Sequence, residues 1–304
     1  MIIALNTNVT STDSAVNLRR GTIPRDRKHS SFRIVIAATP PTPGKTMNRL
    51  REIYEYREMI RCLVHRDLRG RYKGSVLGFL WTFLNPLLQL VVYSIVFSTI
   101  MRSGIDKFYL FLFVALVPWL FFSASLTGGA TSVIAQSNLV KKIYFPREIL
   151  PISFVTTCFV NMLYCFLVVF AVILFAGRPI SFQALLCLPP VMAVEYILAL
   201  GFAMITSALT VYFKDLEHIL SIVAMAWMYL TPILYPITMV PPQYLPLFML
   251  NPMTPIIIAY RDILYYGQIP QLSTLFHALA VGLISLAAGW YIFHRLARRF
   301  AEEL

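Results

Sequence analysis

The sequence predicts an all-α polytopic membrane protein, and three observations carry that expectation. Of its 304 residues, 58% are hydrophobic and only 13% charged, about half the charge of a typical soluble domain. Mean hydropathy is +0.69. The charge is also confined. Uncharged windows run over Gly74–Met101, Phe108–Val140, Ile149–Gly177, Pro179–Val194, Tyr196–Phe213, His218–Tyr260 and Ile263–His294. Most of these reach the roughly 20 apolar residues that a helix needs to cross a hydrocarbon core of about 30 Å.

Residues 1–46 are rich in Ser, Thr, Asn and Pro and carry Arg19, Arg20, Arg25, Arg27, Lys28 and Arg33. With no sustained hydrophobic period they predict a disordered cytoplasmic tail without a signal peptide. Met47 is a second candidate start, because the organised sequence begins there. Residues 47–73 predict an amphipathic helix. Leu50, Ile53, Tyr54, Ile60, Val64 and Leu68 recur near a 3.6 period, and Arg51, Glu55, Arg57, Arg61 and Arg69 occupy much of the rest. A basic amphipathic helix just before a span tends to lie in the membrane interface.

A permease-like region of six spans then fills residues 74–300. The spans are expected at Leu77–Met101, Phe108–Ser132, Leu150–Ala176, Gln183–Tyr212, His218–Pro236 and Leu272–Arg295. The uncharged window after Glu217 holds Pro232, Pro236, Pro241, Pro242, Pro246, Pro252 and Pro255. Proline breaks helices and removes a backbone donor. Broken backbone at membrane depth survives only in protein or beside a watery cavity. Pro241–Tyr265 is therefore expected to form a re-entrant or surface-lying helical hairpin. Orientation follows from charge. With six spans, all but Arg102, Lys107, Arg178 and Arg261 of the 26 Lys and Arg residues fall on one side. The positive-inside rule makes that side the cytoplasm and puts both termini there.

Several chemistries lack their residues. Cys62, Cys158, Cys165 and Cys187 show no CxxC pair or metal-ligand spacing and read as small apolar packing residues. No HExxH or G-x-S-x-G motif occurs, and His65, His218, His277 and His294 are scattered. No catalytic residue, cofactor or metal site is expected in this chain. Gly44-Lys45-Thr46 has the end of a phosphate loop, but Thr39 holds the first glycine position and Pro40, Pro41 and Pro43 forbid the compact turn. The net charge of +12 lies in the flanks of spans, where it reports topology and anionic lipid contact and not nucleic acid. Glu195, alone near the middle of the fourth span, is expected to face the protein interior or to be neutralised; its leading reading is a structural hydrogen bond to a neighbouring helix, ahead of a direct role in transport. The aromatic residues divide between packing, interfacial belts and a pore whose rings stack on sugar faces. The candidate pore-lining set is Trp81, Trp119, Phe122, Trp227, Tyr229 and Tyr235. Between spans two and three, Asn138–Pro151 is short, basic and aromatic; it can seat in a partner's groove with Tyr144 and Phe145 as anchors.

Four blocks carry a resemblance. Arg66-Asp67-Leu68-Arg69-Gly70-Arg71-Tyr72-Lys73-Gly74-Ser75-Val76-Leu77-Gly78-Phe79-Leu80-Trp81 is followed by Asn85-Pro86. Val117–Phe122 comes next, then Leu139–Pro151. The last is Tyr229–Pro236 with Asn251-Pro252 and Ala259-Tyr260-Arg261. In this order, over about residues 47–300, they resemble the permease subunits of type 2 ABC exporters of polysaccharide (O-antigen, capsule or teichoic acid).

The resemblance implies a half-transporter of the bacterial inner membrane. Two copies would form the pore and two separate ABC ATPase subunits would bind ATP and Mg. The substrate would be a lipid-linked polysaccharide. Lys141, Lys142, Tyr144, Phe145, Pro146, Arg147 and Glu148 would form the coupling helix that docks in the ATPase. Lys214 and Asp215 would make a smaller contact. Arg66, Asp67, Arg69, Arg71, Tyr72 and Lys73 would belong to the interface helix. Spans one and five would meet at the dimer interface, and the hairpin would gate the outer mouth. The alternatives are a type 2 permease for a drug or small lipid, a membrane glycosyltransferase or ligase, and a structural scaffold. Short loops poor in acid disfavour the glycosyltransferase, and the proline-broken segment disfavours the scaffold.

Overall fold

The computed structural model describes residues 49–70, 77–96, 104–177 and 181–304. The expected tail, together with Arg71, Tyr72 and Lys73 of the interface segment, lies outside the described residues. Regular structure is entirely helical among those described. In order the helices are α1 (Arg49–Glu55), α2 (Arg57–Gly70), α3 (Trp81–Ser94), α4 (Phe108–Thr131), α5 (Ser137–Lys142), α6 (Ile149–Phe175) and α7 (Phe182–Leu185). They continue with α8 (Leu188–Thr210), α9 (Leu216–Tyr229), α10 (Leu245–Leu250), α11 (Met253–Arg261), α12 (Leu272–Leu296) and α13 (Phe300–Glu303).

Four stretches are long and apolar enough to cross a membrane: Phe108–Thr131, Ile149–Phe175, Phe182–Thr210 and Leu275–Arg299. They coincide with the second, third, fourth and sixth expected spans. The other two expected spans are represented by 14-residue helices, α3 and α9. Fourteen helical residues rise about 21 Å, which leaves α9 short of the hydrocarbon thickness; residues 97–103, which follow α3, lie outside those described.

Helix α4 is the centre. It is apolar on every side, from Leu110 and Phe113 to Val117 and Phe122, and nearly all of it is buried, as a helix without a polar face must be. It packs against α3, α6, α8, α9 and α11. Helices α8 and α12 approach closely through glycine. A Cβ on Gly201 would lie 2.6 Å from the backbone N of Leu286, and one on Gly289 would lie 2.7 Å from the carbonyl oxygen of Gly201. Small residues at such crossings let two backbones meet in a solvent that offers no hydrophobic drive. Glu195, fully buried on α8, accepts a hydrogen bond of 2.6 Å at Oε2 from the Tyr260 hydroxyl on α11. This is the helix-to-helix bond expected of it.

The expected amphipathic helix is two helices, α1 and α2, broken at Tyr56. Helix α2 lies against α6 and buries Leu63. After α9 the chain turns through Pro232 and Pro236 and forms α10 and α11, joined at Asn251-Pro252. Proline at each break accounts for their brevity.

Candidate functional site

Two regions gather the residues that sequence reasoning singled out. The first lies at the ends of α4, α8 and α12 away from the proline-rich turns. Val140, Phe145, Ile149, Val211, Phe293 and Phe300, with Leu63 of α2, belong to an apolar cluster separate from the main core. Helix α5 ends at Lys142, and Ile143 is extended (φ −131°, ψ 137°). Pro146 disfavours helical backbone at Phe145, so the anticipated coupling helix is a short helix followed by an extended run.

That geometry sorts the aromatic pair. Successive side chains of an extended segment point to opposite sides. Tyr144 is 65% exposed, whereas Phe145 is 4% exposed and sits in the chain's own cluster. Phe145 is therefore an internal anchor, and the expectation that it reaches into a partner passes to Tyr144 with Lys141, Lys142 and Ile143, all exposed. Pro146 is buried, Arg147 half-buried and Glu148 buried. Glu148 Oε1 lies 3.7 Å from His294 Nδ1, an ion pair when the imidazole is protonated.

The interface segment adjoins this region. Arg66 Nη1 donates to Gln136 Oε1 at 3.3 Å, one residue before α5, and Arg66 Nε and Nη2 both bond Asp67 Oδ1 at 3.1 Å. Arg69 is exposed. Burial, then Glu52 and the neighbouring Tyr144, hold the Tyr56 hydroxyl above its ordinary value of 10.0, so it stays a neutral phenol at physiological pH. Lys214 and Asp215 are exposed in the turn before α9 and line a second cleft with Tyr212 and Glu303. Burial and Glu303 likewise raise the Tyr212 hydroxyl, against the opposing pull of Arg299 and Arg147.

Sequence reasoning missed His294, Arg298 and Phe300, which close a cleft of about 540 Å³ against Lys141–Glu148 or pack beside it. Arg298 and its neighbours read only as topology charges. An aromatic residue between two charge pairs, Arg298-Arg299 and Glu302-Glu303, was the available signal.

The second region surrounds the proline-rich turns. Asn251 uses its whole amide. Its Oδ1 accepts from Trp227 Nε1 (2.9 Å) and from the Met253 backbone N–H (3.0 Å). Its Nδ2 donates to the Leu230 carbonyl (3.2 Å) and to Thr231 Oγ1 (2.9 Å). Arg261 is 3% exposed and stands 3.6 Å from the centroid of the Phe111 ring. Its guanidinium donates to the carbonyls of Pro232, Ile233, Tyr235 and Phe111. A buried charge is tolerated only when its donors are met. Here they are met by carbonyls of the non-helical turn Pro232–Tyr235 and by the Phe111 carbonyl of α4.

The aromatic candidates divide. Trp119 and Phe122 are buried, and Phe122 packs edge-on against Phe202 and Trp227 at 5.9 and 5.1 Å. Both serve the protomer's interior. Trp81 and Tyr229 are exposed, Trp227 and Tyr235 half-buried. The Tyr235 hydroxyl donates to the Tyr229 carbonyl at 2.7 Å. Among the described residues no group of three His, Cys, Asp or Glu side chains is placed to hold a metal ion.

Comparison with known proteins agrees with this arrangement. The sequence profile described as ABC-2 type transporter matches residues 58–265. The O-antigen export system permease protein RfbA of Myxococcus xanthus is 36% identical over 257 residues, 84% of this chain and 98% of the relative. Its namesake from Klebsiella pneumoniae is 34% identical over 81% of this chain and 95% of its own length. The polysialic acid transport protein KpsM of Escherichia coli is 22% identical over 76% of this chain and 90% of its own. The matched span runs from α2 through the first three apolar stretches to Arg261 and its carbonyl partners, and the chain belongs to the ABC-2 type transporter family.

Proposed function

We propose that this chain is the membrane-spanning subunit of an ABC exporter of lipid-linked polysaccharide, acting as a homodimer with two separate ATPase chains in the bacterial inner membrane. One observation carries the reading. The match to an O-antigen export permease covers 98% of that relative. It takes in both exposed contact segments, Lys141–Tyr144 and Lys214-Asp215. In this reading residues 74–300 form six spans, with α3 and α9 prolonged by flanking turns, and both termini are cytoplasmic. Helices α10 and α11 form the re-entrant hairpin at the outer mouth.

The mechanism follows from placement. ATP and Mg bound by the partner supply the energy. Closure of the ATPase dimer pushes on Lys141, Lys142 and Tyr144 and on Lys214-Asp215. The displacement reaches α6, α8 and α12 through Phe145, buried in one apolar cluster with Ile149, Ala208 and Phe293, and parts the two protomers along α3 and α9. Trp81, Tyr229 and the half-buried Trp227 and Tyr235 then offer aromatic faces to the glycan.

Deletion of the gene, with surface glycan staining and analysis of lipid-linked intermediates, tests the reading. Loss of surface polymer with full-length lipid-linked chain accumulating in the cytoplasm is the expected result. An intact glycan coat points to a drug or small-lipid exporter, and loss without accumulation points to synthesis. A second test addresses coupling. Lys141→Glu, Lys142→Glu and Tyr144→Ala combined should release the ATPase on co-purification; retention with unchanged export removes the coupling assignment.

A further inference from the structure

The residue that joins the two cytoplasmic contact segments belongs to neither of them. Phe300 lies on α13 and is fully buried, although Glu302 and Glu303 beside it are exposed. Its ring meets Phe293 of α12 edge-on at 5.3 Å and Tyr212 at 6.2 Å. The Arg147 guanidinium stands 5.9 Å from the same ring. Arg147 closes the first contact segment and Tyr212 opens the second, so one side chain touches both. Two further links frame it. The Tyr212 hydroxyl donates to the Leu296 carbonyl at 3.0 Å, and Glu148 pairs with His294. Both partners are on the end of α12. The apolar cluster around Phe300 is distinct from the main core and takes in the ends of α8 and α12 through Ala208 and Phe293, so a movement of the contact segments is passed to those helices.

We propose that Phe300 is a positioning residue that locks the Lys141–Glu148 segment and the Tyr212–Asp215 turn to the end of α12, so that both ATPase contacts move together. The inference rests on the coupling reading above. Interfaces of this kind transmit because packed clusters have discrete arrangements and not a continuum of them. With the ring gone, each segment could follow the ATPase without the other, and ATP would be hydrolysed without a matched movement of the spans.

The test uses the permease co-expressed with its ATPase, measuring surface glycan delivered per ATP hydrolysed. Phe300→Ala should keep the ATPase on co-purification while that ratio falls about 2- to 30-fold, the range expected for a side chain that carries coupling. Phe300→Leu refills most of the volume and should restore most of the ratio. A wild-type ratio in Phe300→Ala with normal assembly overturns the proposal. If Phe300→Ala does not reach the membrane, Phe300→Leu and His294→Gln are compared instead; His294→Gln cuts the tie to Glu148 without opening a hole. A lowered ratio in His294→Gln supports the lock, and a wild-type ratio in both variants overturns it. The contact-segment triple variant separates the two levels. Loss of ATPase binding there with a normal ratio in Phe300→Ala leaves coupling standing and removes the lock. A triple variant that behaves as wild type removes the coupling reading itself.

Discussion

A carboxamide and a guanidinium hold the proline-rich turns, and both can be tested by changes smaller than truncation. Asn251→Asp keeps the acceptor for Trp227 Nε1 and Met253 N–H but loses both donors, to the exposed Leu230 carbonyl and to Thr231 Oγ1. An intramolecular hydrogen bond contributes about 0.5–1.5 kcal/mol. Asn251→Asp should therefore lower the melting temperature in detergent; an unchanged melting curve contradicts the network. Arg261→Lys is the parallel case. A lysine ammonium is a point charge and cannot serve four carbonyls while stacking on Phe111. The loss should be at least as large as for Asn251→Asp, with protein that still inserts but gates poorly, read as lower glycan export per assembled complex. Glu195 shows what sequence can and cannot reveal at this scale. A lone acid in an apolar run must face protein, which the bond to Tyr260 satisfies. Its partner was illegible, because Tyr260 lies 65 residues away on a helix that proline had cut short.

At the scale of elements, hydropathy located what length alone decides. Helices α4, α6 and α8 and the apolar part of α12 fall where long uncharged windows put them, because every backbone group in a span must be satisfied within its own helix. The sequence was less informative where two signals compete. Residues 47–73 carry a continuous amphipathic period, yet the helix breaks at Tyr56; no glycine or proline marks the place and the structure offers no further reason. In the contact segment a coupling helix was expected over Lys141–Glu148, but the alternation that exposes Tyr144 and buries Phe145 depends on extended backbone that composition does not declare. The α8–α12 crossing is the element that a single substitution tests best. Gly201→Val would drive a branched side chain into the backbone of Ser285 and Leu286. Overpacking costs about 1–3 kcal/mol, so the variant should unfold at lower temperature or fail to accumulate. Ala124→Val, on a partly open site of α4, serves as the control for added bulk. Equal stability of both variants would show that the glycine crossing is not needed.

For the whole molecule, the proposed homodimer requires one apolar surface to meet a second copy while the others meet lipid. Exposure alone does not separate them. Leu88, Val91 and Val92 of α3 are half or more exposed, as are Ile222 and Met225 of α9, but so are Leu167 of α6 and Phe276 and Ile284 of α12. Length separates α9 from the long helices. Helices α6 and α12 are long enough to stand in a bilayer by themselves, whereas α9 has 14 residues. A helix too short for the hydrocarbon core is better accommodated against protein, since oligomerisation is one response to mismatch. In the proposed homodimer this gives the α9 face to the second copy and the α6 and α12 faces to lipid. On a Cys62→Ser background, which removes the exposed native thiol, Ile222→Cys should give a covalent dimer on mild oxidation in membranes. Ile284→Cys, also well exposed but on α12, should stay monomeric on a reducing-agent-free gel. Cross-linking of Ile284→Cys in place of Ile222→Cys would exchange the two surfaces and move the proposed pore away from Tyr229.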